Sequence, residues 1–316
     1  MSRQALEKDT GKLFGDLWGP YDPKLFAESV ELFARRLDIK GFDRNWFKGK
    51  TCLDAGCGGG RNTIAMAGLG AEKSYGIDLG ENGIRDAKNR AQNLPNTDFR
   101  VASIMDIPFE DEKFDMVWCA GVLMIVDDED IALNELTRVL KKDGKLYLLV
   151  YATDGLRWPL VQVLRPMAAQ LGQPEIERAM NAANMPANKR RTFLDDLFCP
   201  KLDFYHWDRL RRMLEKRGFK QIDRWGDDVR LDHEHSLKDY REDLESLLTI
   251  FTAGLANGFA TGTNRGLYEQ AYNATKACID NIKWFETEVA AGRITNQDAM
   301  VKAIGQGHHR VMSVKG

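Results

Sequence analysis

The chain has 316 residues, 43% hydrophobic and 29% charged, with a formal net charge of −2. It can bury a core and is not compositionally disordered, and its scattered lysines and arginines form no block suited to a dedicated nucleic-acid surface. The first ten residues hold no apolar signal core, no apolar run is long enough for a membrane span, and the five cysteines (Cys52, Cys57, Cys119, Cys199, Cys278) show no paired spacing, so a cytoplasmic protein with free thiols and no membrane partner is expected.

Residues 12–37 read as partly helical, with Phe26, Val30, Phe33 and Leu37 at three- and four-residue spacing. They overlap an aromatic, glycine-punctuated leader, Leu13-Phe-Gly-Asp-Leu-Trp-Gly-Pro-Tyr21. An apolar approach from Thr51 to Leu53 then reaches Asp54, glycines alternate at Gly56, Gly58 and Gly60, and a helix-like run begins at Asn62. Strand, tight loop and helix in that order form the device by which an α/β sheet presents a ligand site at a strand end. Glycine suits the loop because backbone without a Cβ takes positive φ and approaches a ligand closely.

Lys73–Asp78 reads as a second strand, 82–93 as a helix, Asp98–Ser103 as a third strand and Phe114–Cys119 as a fourth. A helix opens at Val126-Asp-Asp-Glu-Asp-Ile131 and ends near Gly144, and Lys145–Tyr151 is a fifth strand. Helical pieces follow at 158–171 and 174–184. A further helix has Asp208 as its expected cap and Leu210, Met213 and Leu214 on its buried face. Phe219–Trp225 is a sixth strand. Ser236 and Asp239 then cap a helix burying Leu237, Tyr240, Leu244, Leu247, Phe251 and Leu255, and a second helix carries Leu267, Ala271, Cys278, Ile282 and Phe285 on one face. The alternation predicts an α/β fold with a Rossmann-like, doubly wound, mostly parallel sheet, a helical insertion and a helical C-terminal extension.

The glycine loop separates the candidate ligands. A dinucleotide fingerprint needs G-x-G-x-x-G, and its third glycine falls on Arg61 or Thr63 depending on register. No Gly-Lys-Ser/Thr closes a P-loop. The run Asp54-x-Gly56-x-Gly58-x-Gly60 instead resembles the nucleotide loop of class I S-adenosylmethionine-dependent methyltransferases. Ile104-Met-Asp-Ile-Pro-Phe109 and Phe114-Asp-Met-Val117 resemble the same family's later segments, so the likeness runs from Thr51 to Tyr151, most closely to the quinone-biosynthesis methyltransferases.

The resemblance implies a seven-stranded methyltransferase-type sheet and S-adenosyl-L-methionine as cofactor. It places Asp54, Gly56, Cys57, Gly58, Gly60 and Asn62 at the loop, and Asp78 and Leu79 at the ribose, where an acid accepts hydrogen bonds from two hydroxyls. Cys119 and Ala120 stand where the family's backbone meets the cofactor ammonium. Tyr21 belongs to a leader that closes over the cofactor in related enzymes; the same aromatics equally suit a simple anchor on the core. The family's adenine-binding aspartate aligns with Ser103, which leaves that contact to Ser103 or to the backbone at Ile104 and Met105.

The expected divisions are 1–45 as an N-terminal lid, 46–154 as the cofactor core and 155–204 as an insertion capping the substrate. They continue with 205–231 as the return of the core and 232–316 as a C-terminal extension that packs on its own domain or joins two copies as a homodimer. The partner expected is a small-molecule acceptor, on oxygen, nitrogen or carbon. If the acceptor must lose a proton, His206, Tyr205, Tyr151 and Asp154 are the candidate bases. The acids at 127–130 and Asp232-His-Glu-His235 lack ligands at defined spacing, so no metal is expected. The alternative is a non-catalytic or NAD-type nucleotide-binding Rossmann protein.

Overall fold

The computed structural model describes residues 2–18, 23–153, 155–225, 236–258, 262–303 and 307–316. The chain opens with α1 (Arg3–Trp18) and α2 (Pro23–Ile39), then runs β1 (Thr51–Ala55), α3 (Arg61–Gly68), β2 (Lys73–Asp78), α4 (Glu81–Arg90) and β3 (Thr97–Val101). It continues with β4 (Phe114–Ala120), α5 (Glu129–Val139), β5 (Leu140–Tyr151), α6 (Arg157–Leu171), α7 (Gln173–Ala182) and α8 (Ala187–Phe198). The last elements are α9 (Trp207–Glu215), β6 (Phe219–Arg224), α10 (Leu237–Ala256), α11 (Thr263–Ala290), α12 (Asn296–Ala303) and β7 (His308–Lys315).

These elements form two compact units. The first holds 1–151, 200–227 and 308–316. Its sheet runs β3-β2-β1-β4-β5-β7-β6. β1 pairs in parallel with β2 and β4, β2 with β3, and β4 with β5. Only β7 is antiparallel, to β5 on one side and β6 on the other. Central strands covered on both faces read as near-continuous apolar runs, and β4 does so, with Met116, Val117, Trp118 and Cys119 all buried. Trp118 stacks on Tyr147 of β5 and meets Phe33 of α2, so α2 is anchored to the middle of the sheet by aromatic contact.

Two expectations need correction here, and the leader takes a definite form. The C-terminal extension is not wholly helical, because β7 is the seventh strand and fills the place between β5 and β6. Its buried His309, Val311, Met312 and Ser313 face cover on both sides, which hides the two-residue alternation by which a strand is recognised. The leader is helical through Trp18, since α1 runs through Gly11 and Gly15. The cap of α9 is His206, whose Nδ1 accepts the N–H of Asp208 at 3.4 Å, while Asp208 sits in the first turn.

The second unit holds 152–199 and 228–307, so the insertion and most of the C-terminal extension make one helical body. The Ser236 hydroxyl accepts the Asp239 N–H and the Asp239 carboxylate accepts the Ser236 N–H, the reciprocal cap expected for α10. α10 packs on α11 and α7, and α11 on α6. α8 and α12, short and weakly patterned, were not anticipated. The tightest approach in this unit is at Gly254, where an added Cβ would stand 2.1 Å from Cε1 of the fully buried Tyr268. Tyr268 cannot swing aside freely, because its hydroxyl donates to buried Glu175 at 3.2 Å. Gly254→Ala is therefore expected to destabilise this unit by about 1–3 kcal/mol, the range for overpacking a core. Chemical denaturation would check it; an unchanged midpoint would mean that α10 and α11 are loosely joined.

Candidate cofactor site

The loop after β1 is tied to β2 by backbone. Gly56 and Cys57 both donate their N–H to the Ile77 carbonyl, at 2.8 and 2.9 Å. Gly56, Gly58 and Gly60 have φ of 84, 51 and 87°. A Cβ on Gly56 would lie 2.1 Å from Cγ2 of Val122, and one on Gly60 would lie 2.8 Å from Cβ of Ala87 and 2.9 Å from Phe99. These two are glycines because the protein crowds them. Gly58 differs: a Cβ there meets nothing within 4 Å, so this glycine borders open space.

Two carboxylates flank the loop. Asp54 is fully buried, and its Oδ2 accepts from Thr63 of α3 twice, from the N–H at 3.1 Å and from the hydroxyl at 2.9 Å. Its Oδ1 is buried with no hydrogen-bond partner. Burial pushes the Asp54 carboxyl up from 3.8 to about 6, against the opposing pull of the Thr63 bonds, the Arg61 charge and the neighbouring Asn62 side chain. An acceptor left unmatched inside a protein is destabilising unless something cationic or N–H-bearing meets it. Asn62, also buried, follows in the first turn of α3.

Asp78, half-buried at the end of β2, accepts from the Gly58 N–H on Oδ2 and from the Gly80 N–H on Oδ1, each at 2.8 Å. Desolvation raises its pKa, and the backbone bonds from Gly80 and Gly58 oppose the shift. Each oxygen has accepted one of these bonds and can accept a second, which is what a pair of ribose hydroxyls requires. Leu79 is covered by α1. A Cβ on Gly11 would lie 3.2 Å from both Cβ and the carbonyl oxygen of Leu79.

Beyond β3, the Ser103 hydroxyl donates to Oε1 of Glu7 at 2.7 Å and accepts the Met105 N–H at 3.1 Å. The Met105 N–H is thus engaged by Ser103. Ile104 and Met105 are buried. At the end of β4, Cys119 is fully buried, and its thiol is pushed up to about 12 by burial first and by Asp54 second. Ala120 beside it is half-buried. Tyr21 aside, the residues expected at the cofactor thus gather at the carboxyl ends of β1, β2, β3 and β4. Sequence reasoning missed α1, although Glu7, Gly11 and Gly15 recur every four residues on one helical face.

The candidate bases fare unevenly. Tyr205 is fully buried; its hydroxyl donates to the Leu123 carbonyl at 3.4 Å, and desolvation pushes its pKa well up. That argues against Tyr205 as a base open to an acceptor. His206 is exposed and serves as the cap of α9. Tyr151 ends β5 half-buried, with its ring edge-on to His308 at 5.1 Å between centroids. The acids at the start of α5 are used structurally: Asp128 caps the helix, Glu129 pairs with Arg209 and Asp130 with Arg217. Tyr21, Asp154 and Asp232-His-Glu-His235 lie outside the described residues. Among the described residues, no three His, Cys, Asp or Glu side chains gather as a metal cage, and no helix is long and apolar enough to cross a membrane.

Comparison with known proteins agrees with this geometry. Residues 53–148 match the methyltransferase domain family. The chain is 34% identical over 139 residues to a 2-phytyl-1,4-naphtoquinone methyltransferase of Trichormus variabilis, covering 40% of this chain and 61% of that protein. It is 36% identical over 149 residues to a demethylmenaquinone methyltransferase of Geobacillus stearothermophilus, covering 45% and 62%. A demethylmenaquinone methyltransferase of Lactobacillus johnsonii is 28% identical over 239 residues, covering 70% of this chain and 89% of the relative. The chain therefore carries a class I S-adenosylmethionine-dependent methyltransferase domain that resembles the quinone-biosynthesis enzymes.

Proposed function

We propose that this protein transfers a methyl group from S-adenosyl-L-methionine to a small-molecule acceptor of the quinone or related ring class. The observation that carries the reading is Asp54 Oδ1, a buried carboxylate oxygen without a partner beside the glycine loop. It suits the ammonium of the cofactor's methionine moiety, and Asp78 suits the ribose. A dinucleotide is disfavoured at the same spot. Its pyrophosphate would approach the start of α3 with the Asp54 carboxylate directly behind it, a like-charge contact that raises energy in a low-dielectric setting. The ring-acceptor class is supported by the relatives, two of which are named for menaquinone and one for a naphthoquinone.

When bound, the cofactor supplies an electrophilic methyl group on a sulfonium. The chain's own residues then hold and orient. Asp54 fixes one end through charge, Asp78 the ribose through its two oxygens, and the carboxyl edge of the sheet presents the rest. Where a proton must leave the acceptor, Tyr151 and His308 stand together at the end of β5, and His206 remains a second candidate.

Calorimetry with S-adenosylmethionine and its demethylated product tests the cofactor, followed by labelled-methyl transfer to a panel of quinols, phenols and amines. Asp78→Ala is expected to weaken cofactor binding by about 1.5–3 kcal/mol, the scale of hydrogen bonds to a charged group. Absence of binding to the intact protein would overturn the reading. Normal binding by a folded Asp78→Ala chain would remove the ribose assignment alone.

A further inference from the structure

In the family that this chain resembles, an aspartate at the end of the third strand holds the adenine amino group; here that position is Ser103, which has no carboxylate to offer. A carboxylate is nonetheless present at that place. α1 brings Glu7 to the end of β3, where the Ser103 hydroxyl donates to Glu7 Oε1 at 2.7 Å. Arg3, one turn earlier, donates from Nε to the same oxygen at 3.3 Å. Both bonds therefore fall on Oε1, and the Glu7 side chain is one-fifth exposed. The second oxygen, Oε2, can accept further hydrogen bonds.

The position of α1 is not incidental. Glu7, Gly11 and Gly15 lie at four-residue spacing and so share one face of the helix. Gly11 packs against Leu79 without a side chain between them. A Cβ on Gly80 would in turn lie 3.3 Å from the Gly11 carbonyl oxygen and 3.6 Å from the Gly15 Cα. The two glycines bring the helix axis down onto the end of β2, and this close approach sets the reach of Glu7 to β3. The Ser103 hydroxyl is itself oriented, because it accepts the Met105 N–H while donating to Glu7. The carboxylate is thus held by a helix on one side and a fixed hydroxyl on the other.

We infer that Glu7, anchored by Ser103, is the acceptor for the exocyclic amino group of the cofactor's adenine, a role moved from the third strand to the N-terminal helix. The inference rests on the proposed cofactor reading. With the glycine loop at β1 and the ribose at Asp78 on β2, the base comes next along the sheet order, at β3. An exocyclic amino group offers two N–H donors, and an ionised carboxylate is a pure acceptor. A bond of this kind, charged on one side, discriminates strongly against a base that lacks the donor.

The test compares two product-type ligands by calorimetry: S-adenosylhomocysteine, and the analogue whose base is unsubstituted purine, with hydrogen in place of the amino group. The wild-type chain is expected to prefer the adenine ligand by about tenfold or more. Glu7→Gln keeps the shape, and its amide oxygen can still accept from Ser103, which turns the amide N–H₂ toward the base. That variant, and Glu7→Ala beside it, are expected to bind both ligands with nearly equal affinity. Circular dichroism melts of the ligand-free variants accompany the titrations, so that loss of fold is seen as such. If Glu7 only holds α1 in place, both ligands weaken together and the wild-type preference survives, which overturns the inference. An unchanged preference with unchanged affinity does the same while leaving the cofactor reading intact. Failure of the wild-type chain to bind either ligand would instead overturn both readings.

Discussion

Truncation after Gly307 is expected to abolish recovery of a soluble, folded chain, although it removes no helix and none of the residues assigned to the cofactor. The reason is the position of β7. It pairs with β5 through seven residue pairs, from Lys145 with Val314 to Tyr151 with His308, and with β6 on its other side. Without it, β5 and β6 lose the strand that joins them, and the backbone groups that faced it lose partners in a part of the sheet where neighbouring residues are buried. Val311 and Met312 go as well, each buried, and truncating such side chains typically costs about 2–5 kcal/mol apiece for the larger ones. His309 also goes. It is fully buried, with Nε2 at 2.8 Å from the Tyr205 carbonyl and Nδ1 at 3.2 Å from Arg224. A carbonyl can only accept and a guanidinium can only donate, so His309 is the neutral tautomer with its proton on Nε2. It ties β7 to the segment that precedes α9. Together these losses are comparable with the 5–15 kcal/mol that typically holds a domain folded. Solubility and circular dichroism of the truncated chain measure it. A folded, monomeric product with native affinity for the cofactor would show that the sheet closes without its seventh strand.

Much of the sheet could be read from sequence because its signals were local. The Lys73–Asp78 strand ends on an acid and is bounded by turn residues, and the structure has those same bounds. Asp54 and Asp78 declared themselves by their places beside the glycines. β7 did not, because it is paired on both edges and covered on both faces; its pattern mixes His, Arg, Ser and Lys with two valines and a methionine. Its identity as a strand comes from β5 and β6, which lie far from it in sequence. Tyr205 misled for a related reason. Its phenol reads as a candidate base, but its burial depends on the distant Leu123 and Glu129, which no spacing within 205–219 encodes. The role of α1 was obscured by composition. Gly11 and Gly15 give no apolar signal of packing, yet their lack of side chains is what lets that helix lie against Leu79 and Gly80.

The second large effect is expected at Asp54, and it separates stability from binding. In the ligand-free chain this carboxyl titrates near 6, whereas in the unfolded chain it returns to about 3.8. Between those values the folded state holds a proton that the unfolded state has lost. The stabilisation is therefore fully present below about 3.8 and is lost as pH rises through 6; over that range the group removes on the order of 3 kcal/mol. Asp54→Asn has no charge to desolvate. Its amide oxygen can keep both bonds from Thr63, and its N–H₂ then occupies the position of the unpartnered Oδ1. Chemical denaturation of the ligand-free proteins is thus expected to show the variant more stable than wild type at pH 8 by up to about 3 kcal/mol, with most of the difference gone at pH 4. Affinity moves the other way. An amide N–H₂ facing the cofactor ammonium sets donor against cation, so binding at pH 8 should fall by at least about tenfold. In wild type the cofactor draws out the ionised carboxylate, and binding below pH 6 should release a proton, seen as a dependence of the calorimetric heat on the buffer's ionisation enthalpy. A variant whose stability differs from wild type equally at pH 4 and pH 8 would mean that the carboxylate is not the desolvated group. A variant that binds as tightly as wild type would place the ammonium somewhere other than Asp54. Gain of stability with loss of binding is the signature of a charge that the fold keeps unsatisfied for its ligand.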